Sequence, residues 1–414
     1  MGIFSYLRDM TLGRKSMSSH DLLEEIYGGI ESDSGLKVSW REAIQASAVF
    51  ACLRVLSNGV AQVPFILFQK NGRNKDRATG HPLYDLVHLA PNEHMTSFDF
   101  RFMLILHLAL TGNAFAFINR VRGEIVELLP FLPGSVTVHR NGWTVSYKIT
   151  TPEGRQYEVP SGDMWHLRYM PWDGVSGLDP VKVARNVLGL TMAAETYGSK
   201  FFRQGGRPQG VLSTPATLSD DQRKGLRQDW EAMNAGLQNA NRIAVLWADL
   251  KYTPLSGTND QNQFLETRRF QIEEVCRFMG VNPLMVYYSD KTSTYASAEQ
   301  MFSQHVTHTL DPLYVNIEQS AALKLLTKEE RRQGYYFKLI SNGLMRGVAK
   351  DRGEFYKSMR ITGGMTINEI RDLEDLNPVE GGDNPFVPLN SNVSAATGKP
   401  DSQEDTQNGN EKSV

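Results

Sequence analysis

The sequence predicts an α+β fold in which mostly antiparallel strands come first and helices dominate afterwards. Two Asn-Gly pairs, Asn71-Gly72 and Asn141-Gly142, lie between runs of alternating apolar and polar residues. Such pairs indicate hairpins, because type I′ turns need positive φ at both central residues. Beyond Pro180, apolar residues recur at spacings of three and four, which is typical of helices.

The first ordered element is predicted to be a helix capped by Ser39. Its apolar stripe, which includes Val49, Cys52 and Leu56, ends before Pro64. A second helix over 97–110 should cover one face of the sheet with Phe98, Phe102, Ile105 and Leu106. The predicted strands of this part span 65–70, 115–120, 125–129, 136–140, 143–149 and 164–168.

The second half of the chain is predicted to be mostly helical. A helix from 180 to 202 carries a stripe of Val183, Val187, Leu190 and Ala194, and Ser219 with Gln222 forms a capping-box pattern at the start of the next. The further helices are expected at 217–236, 261–279, 297–326, 344–360 and 368–374, with strands at 242–247, 250–253 and 335–340.

Both ends of the chain are polar. Residues 1–38 are expected to form a loosely held arm, and 385–414 offer almost nothing apolar to bury, so we expect disorder there. No targeting pattern is evident in the first residues. The longest apolar stretch, 100–118, contains Arg101, His107 and Asn113, so it predicts a core helix and strand and no membrane span.

The charge balance limits the possible partners. The chain has 414 residues, with 44 basic and 46 acidic side chains and a formal net charge of −2. A surface that clamps phosphate throughout is therefore excluded, and any DNA contact must be local or weak. The two cysteines, Cys52 and Cys276, lack metal-ligand spacing and are interpreted as small buried apolar residues, in keeping with synthesis in a reducing cytosol.

A search for chemistry yields no catalytic, metal or cofactor site. The chain lacks GxxxxGK[ST], so it is not itself a P-loop motor. His305 and His308 share a helix face but have no matching third ligand, and His166 lies in a strand where a hydrogen-bonded structural role is expected. Adjacent acidic residues such as Glu329 and Glu330 point to different sides of a helix, so they do not form a converging acid/base pair.

Short segments spread along the chain resemble, in order and spacing, the portal (head–tail connector) family of long-tailed double-stranded DNA phages. Each segment is weak alone, and their order over about 40–384 is specific. They are 48–54, Val63-Pro64, 81–83, Pro91-Asn92, 111–115, 165–168, 177–180, Phe202, Gly205, Pro208, 210–212, 263–266, 276–281, 310–312, 368–371 and 381–383. Asp179, where the family more often has Ser, and Asn282, where a small residue or Pro is usual, depart from the pattern.

The resemblance implies a virion protein made in the cytoplasm of a host bacterium and placed at one capsid vertex. Its fold would be a portal-type ring of about twelve copies around an axial channel. The implied regions are an arm (1–38), a wing (39–216), stem helices (217–236 and 261–282), a clip (237–260), a tunnel loop (283–296), a long helix with crown (297–384) and a tail (385–414).

The resemblance also implies contact residues and partners. The tunnel loop would touch double-stranded DNA without reading its sequence, through Tyr288, Ser289, Lys291, Thr292 and Thr294. The clip would meet the large terminase and later the head-completion or adaptor proteins, through Arg242, Val245, Trp247, Lys251 and Tyr252. The other implied partners are neighbouring copies and the major capsid protein, with no membrane and no cofactor.

Two other classes of protein stay open at this point. One is a different virion structural protein, such as a capsid or adaptor subunit. The other is a phage-encoded nuclease or transferase, which would need a converging acidic or histidine cluster. Mass measurement and electron microscopy would separate these from a closed ring of 46.5 kDa chains.

Overall fold

The computed structural model describes residues 30–72, 74–151, 154–203, 210–215, 217–234, 249–254, 259–288, 295–341, 344, 349–374 and 376–384. The chain divides into two compact units, residues 1–343 and residues 344–414, which are described separately.

The described helices and strands follow the predicted mixture of both types. The helices are α1 (Trp40–Ala43), α2 (Ser47–Ala61), α3 (Pro82–His88), α4 (Ser97–Thr111), α5 (Pro180–Val183), α6 (Arg185–Arg203), α7 (Asp220–Asn234), α8 (Asn259–Met279), α9 (Tyr295–His305), α10 (Asp311–Leu325), α11 (Lys328–Arg332), α12 (Ala349–Ile361) and α13 (Ile367–Leu373). The strands are β1 (Ile30–Glu31), β2 (Lys37–Val38), β3 (Phe65–Asn71), β4 (Asn74–Arg77), β5 (Asn113–Val121), β6 (Glu124–Phe131), β7 (Val136–Asn141), β8 (Thr144–Thr150), β9 (Gln156–Pro160), β10 (Met164–Arg168), β11 (Gly210–Ser213), β12 (Lys251–Pro254) and β13 (Tyr335–Leu339).

The strands form several small antiparallel sheets where the sequence suggested one larger sheet. Their orders are β1-β2, β13-β3-β4, β10-β5-β6, β7-β8-β9 and β11-β12. A hairpin forms at each Asn-Gly pair, as predicted, but the turn is not a type I′ turn centred on the pair. Asn71 and Asn141 are the last paired residues of β3 and β7 and lack positive φ, whereas φ is 63° at Gly72 and 60° at Gly142. Strand β9 was not predicted, because only Val159 within it is buried.

One hydrophobic core lies between the sheet containing β5 and the sheet containing β8. Phe115 and Tyr147 meet edge to face with ring centroids 6.0 Å apart. Helix α4 covers β5 and β10, and Phe100 on it lies 6.1 Å from the ring of Trp165. The buried members of this core are Phe115, Phe117, Leu129, Phe131, Val136, Tyr147, Ile149, Val159 and Met164.

The first predicted helix is present but interrupted. Ser39 caps α1 in a capping box with Glu42, as expected, and the extended backbone at Ala46 then separates α1 from α2. On α2, Val49, Cys52 and Leu56 are buried as predicted.

The predicted inner face of α4 was only partly right, because Ile105 is buried as predicted. On α4 the buried side chains are Phe100, Leu104, Ile105 and Leu108, whereas Phe98 is exposed. This helix is apolar on every side, so spacing alone could not select its inner face.

The region 180–203 is also turned from its predicted orientation. It breaks at Ala184 into α5 and α6, and Leu188 and Thr191 face inwards while Val183 and Leu190 are exposed. An apolar stripe that faces outwards on the single chain is a candidate contact surface.

Order begins earlier than predicted, because residues 30–38, assigned to the arm, form the β1-β2 pair. Ser32 and Val38 are buried, and Gly35 has a φ of 75° in the turn. The pair lies against α6, where Asn186 donates a hydrogen bond to Asp33 at 2.7 Å. The rest of the predicted arm, residues 1–29, lies outside the described residues, as does the tail from 385.

The long helix predicted from 297 is present and starts at Tyr295. A π-helical turn, Val306–Leu310, joins α9 to α10. The wider turn moves Leu310 against Gly59 of α2, and the Tyr314 hydroxyl donates to the Gly59 carbonyl at 2.7 Å. A side chain at position 59 would overlap Leu310, which explains a glycine in the middle of a helix.

Both departures from the family pattern act as helix caps. The Asp179 carboxylate accepts a hydrogen bond from the backbone N–H of Lys182 at 3.1 Å, at the start of α5. The Asn282 side chain accepts one from Leu284 at 3.0 Å and caps the 3₁₀ turn Pro283–Val286. Asp and Asn are good caps, so neither departure disturbs the local backbone.

In the second unit, α12 and α13 correspond to the two predicted helices. Thr366 caps α13 in a capping box with Glu369. The Asn368 side chain binds both the N–H and the carbonyl of Val379, at 2.8 and 3.0 Å. A Cβ at Gly382 would overlap the Asn368 amide, so two family-like segments, 368–371 and 381–383, meet for a packing reason.

Candidate functional site

Two backbone segments cross in close contact, one at Gly112, where α4 ends, and the other at Gly177 and Leu178, just before α5. Gly112 ends α4 with a φ of 73°, and a Cβ there would overlap the carbonyl oxygen of Leu178. A Cβ on Gly177 would overlap the carbonyl oxygen of Gly112. Each position therefore requires glycine because another stretch of backbone occupies the space of a side chain.

The Asn113 side chain ties this crossing together. Its Oδ1 accepts hydrogen bonds from the Gly177 N–H at 2.8 Å and from His166 Nε2 at 2.9 Å. Its Nδ2 donates to the carbonyls of Thr111 at 3.0 Å and Gly177 at 3.2 Å. The amide thus uses both its donors and both lone pairs. Sequence reasoning noted segments 111–115 and 177–180 but not that they meet.

His166 is the hydrogen-bonded structural residue that was predicted. Donation from Nε2 to Asn113 leaves Nδ1 to accept from the Tyr147 hydroxyl at 3.3 Å, and the ring stacks on Phe115 at 4.4 Å. Burial, followed by the charges of Arg168 and Lys324, lowers the pKa of His166 to about 3. The imidazole therefore stays neutral and can hold Asn113 in place.

The loop held by this crossing, 169–178, presents an exposed tryptophan. Trp172 is 84% exposed, and Trp143 at the β7-β8 turn is 95% exposed with the Arg140 guanidinium 5.7 Å from its ring centroid. Backbone N–H groups of Ser176 and Val175 bind the Asp173 carboxylate and lower its pKa, as does the charge of Arg140. In the sequence, this exposed surface is indicated only by the two tryptophans, Trp143 beside the β7-β8 turn and Trp172 in the loop 169–178.

The predicted tunnel loop is described only at its start. Tyr288 is half-buried, directly after Tyr287, which is exposed and has a φ of 60°. Ser289, Lys291, Thr292 and Thr294 lie outside the described residues. Residues 283–286 form a 3₁₀ turn and α9 starts at Tyr295, so both edges of the predicted loop are helical.

The predicted clip is described at Lys251 and Tyr252. Both lie in β12, which pairs with β11, so Lys251 is opposite Ser213 and Tyr252 opposite Leu212. The Tyr252 ring stacks on Trp230 of α7 with centroids 5.5 Å apart. The sequence predicts another strand nearby, at 242–247. That segment, with Arg242, Val245 and Trp247, lies outside the described residues.

The described residues were also searched for metal and membrane features. Within those ranges, no group of three or more His, Cys, Asp or Glu side chains could hold a metal ion. In the same part of the chain, no helix is long and apolar enough to cross a membrane.

Solved structures share this fold. The neck of an empty gene transfer agent particle, computed with C6 symmetry, matches 89% of this chain and 96% of its own, with a TM-score of 0.57 and 22% identity. A crystal structure of an HK97-family phage portal protein from Corynebacterium diphtheriae matches 76% of this chain and 99% of its own, with a TM-score of 0.56 and 15% identity.

Proteins related by sequence indicate the class of protein to which this chain belongs. The chain is 32% identical over 380 residues to a probable portal protein of Streptomyces phage phiC31, covering 87% of this chain and 82% of the relative. It is 29% identical over 345 residues to the portal protein of Enterobacteria phage HK97, covering 82% and 81%. Fold and relatives together define a structural component of a phage virion. The pattern of the phage portal protein family matches residues 47–375, and the chain belongs to that family.

Proposed function

We propose that copies of this chain close into a ring at one capsid vertex and that double-stranded DNA enters and leaves the capsid through its opening. The family match over 47–375 is the observation that carries the proposal. The relatives are portal proteins, and we propose that this chain likewise performs no bond chemistry.

Self-association is supported by an apolar surface on the single chain. Val183 and Leu190 are exposed on α5 and α6, and Leu265 and Phe270 are exposed on α8. The two regions are joined by a hydrogen bond between Thr191 and Gln271 at 3.2 Å. Large apolar side chains that stay exposed on the single chain are candidates for contact surfaces. Necks of gene transfer agent particles with this fold were computed with C6 and C12 symmetry, which favours a neighbouring copy as the partner.

We propose that Tyr288, Ser289, Lys291, Thr292 and Thr294 line the channel. A channel through which duplex slides must bind phosphate weakly, because 6–10 firm contacts already give an affinity that changes by about 10³–10⁵ over ordinary salt. A net charge of −2 suits this requirement. Rotational symmetry would turn the single Lys291 of the loop into a collar of positive charge.

We propose that the clip residues Arg242, Val245, Trp247, Lys251 and Tyr252 meet the large terminase during packaging and the head-completion or adaptor protein afterwards. The short β11-β12 pair supports this, because it is a two-stranded sheet whose outer edges can pair with another chain. The major capsid protein would contact the outside of the ring.

The proposal is tested by electron microscopy and mass measurement of the purified full-length chain. We expect particles with a central opening and a mass close to twelve times 46.5 kDa. A different small copy number with an open centre would change only the stoichiometry. A compact single-copy particle, or an assembly without an opening wide enough for duplex DNA, would overturn the proposal.

A further inference from the structure

The two cysteines of the chain lie next to each other in the core. Cys52 on α2 and Cys276 on α8 are both 0% exposed, and their Sγ atoms are 3.8 Å apart although 224 residues separate them in sequence. Both are free thiols. The predicted burial is confirmed, whereas their pairing was not foreseen. A distance of 3.8 Å is short enough for one thiol to donate a hydrogen bond to the other.

A mostly apolar cavity of about 170 Å³ is lined by residues close in sequence to both cysteines, although neither thiol itself lines it. Leu56 and Gly280 line it, and each lies four residues after one of the cysteines. Residues four apart share a helix face, so Leu56 stands one turn from Cys52. Gly280, directly after the end of α8, stands at the same spacing from Cys276. A small neutral molecule that enters the cavity would reach the sulfur atoms by passing between these lining side chains.

We propose that Cys52 and Cys276 form a modification site for hydrogen peroxide, which converts the two thiols into a disulfide that joins α2 to α8. The Cys276 sulfur attacks one peroxide oxygen, the O–O bond breaks, and the departing hydroxide takes up the thiol proton to give water. The Cys52 sulfur then attacks the resulting sulfenic acid, and the S–O bond breaks with loss of a second water. Two thiols lose two electrons and two protons, and one peroxide becomes two waters.

The surroundings of the pair favour this order of attack. The hydrogen bond from Cys52 lowers the pKa of Cys276, and the same contact together with burial raises the pKa of Cys52. The thiolate is the reactive form of cysteine, so Cys276 is the nucleophile and Cys52 the resolving thiol. A virion component leaves the cell that makes it, so the thiols would be reduced during assembly and oxidised afterwards.

The test uses the full-length folded chain. Reduced protein is treated with hydrogen peroxide, quenched, unfolded and alkylated, and its peptides are analysed by mass spectrometry. We expect a Cys52–Cys276 cross-linked peptide that dithiothreitol removes. Two fully alkylatable cysteines after peroxide treatment would overturn the proposal, as would sulfinic acid at either position without a cross-link.

Two comparisons establish that the folded geometry is responsible. With dimedone present during the peroxide treatment, the urea-unfolded chain should lose much more of its sulfenic acid to the probe than the folded chain, because a long flexible loop lowers the effective concentration of the resolving thiol. Cys52→Ala should instead stop at a sulfenic acid on Cys276 that a dimedone probe captures. Equal shares of probe-labelled and cross-linked cysteine in the folded and unfolded chains, or no probe labelling of Cys276 in the variant, would contradict the mechanism.

Discussion

Asn113 Oδ1 lies 2.8 Å from the backbone nitrogen of Gly177 and accepts its hydrogen, which ties the first residue of β5 to the loop before α5. The same oxygen accepts from His166, so one amide links α4, β10 and that loop. The family-like segments 111–115, 165–168 and 177–180 are therefore three parts of a single junction.

Replacing Asn113 with Ala should destabilise the first unit by about 2–4 kcal/mol, because the Gly177 N–H and the His166 ring N–H both lose their acceptor in a buried place. Urea denaturation followed by tryptophan fluorescence measures this loss. Asn119→Ala on the same strand removes one long hydrogen bond of 3.4 Å to Glu127 and should cost well under half as much. Equal losses of unfolding free energy in the two variants would show that the Asn113 junction stabilises the protein no more than a single long hydrogen bond does.

Gly112→Ala should prevent folding or cost more than about 4 kcal/mol, because the new methyl group would overlap the backbone of Leu178. Gly142→Ala is the matched control, since Gly142 also has a positive φ but has nothing within 4 Å of its missing Cβ. The control should cost about 1 kcal/mol, which is the backbone conformation alone. Thermal unfolding followed by circular dichroism compares the stabilities of the two variants. Similar stabilities would contradict the close backbone contact between Gly112 and Leu178.

Two buried histidines should make the protein lose stability in mild acid. Burial lowers the pKa of His107 to about 4, and burial with nearby positive charges lowers that of His166 to about 3, from 6.5 in both cases. Between about pH 6.5 and 4 the unfolded chain therefore binds protons at these positions that the folded chain does not, and the free energy of unfolding falls as pH falls.

The His166→Gln variant removes the contribution of His166 to this pH dependence and leaves that of His107. Over the same pH range, the stability of the variant should depend less steeply on pH, by roughly 1.4 kcal/mol per pH unit for one proton at full difference. Urea titrations at several pH values provide the slopes. Identical slopes for the two proteins would mean that His166 is protonated in the folded state.

Local rules in the sequence predicted most elements of the fold. Ser39 and Ser219 cap helices through their side chains, and a hairpin forms at each Asn-Gly pair. These features depend on a few neighbouring residues, so the sequence carries them directly. Strand β9 and helix α11 were missed because they bury little apolar surface of their own.

Contacts distant in sequence were not predictable from patterns. The spacing of apolar residues on α4 and on 180–203 allowed several inner faces, and tertiary packing selected faces that exclude Phe98, Val183 and Leu190. Likewise, nothing in the amino-acid sequence around Cys52 indicates that Cys276 lies beside it in the fold. The channel and clip residues came from family resemblance, because single loop and strand residues carry no local signal for a partner.

Val183→Arg should weaken ring assembly, because Val183 belongs to the outward apolar stripe that we assign to a neighbouring copy. Placing a charge in the middle of an apolar contact leaves that charge without water or a partner. Mass photometry should show a shift from rings to smaller species, with the circular dichroism spectrum unchanged. Val121→Arg alters another exposed valine, at the β5-β6 turn, which is 53% exposed against 67% for Val183, and should leave the rings intact. Intact rings with Val183→Arg would remove the stripe from the interface.

Lys291→Glu should reduce DNA packaging or retention while the ring still forms, because each copy reverses one charge facing the proposed channel. Symmetry multiplies the change, so the collar becomes repulsive towards phosphate, and the effect should weaken at high salt. Packaged DNA per particle and ring mass are measured together. Lys328→Glu reverses an exposed lysine of α11 outside the loop and should leave packaging unchanged. If Lys291→Glu particles package and retain as much DNA as wild type at low salt, Lys291 does not face the duplex, and the channel lining must be sought elsewhere in the ring.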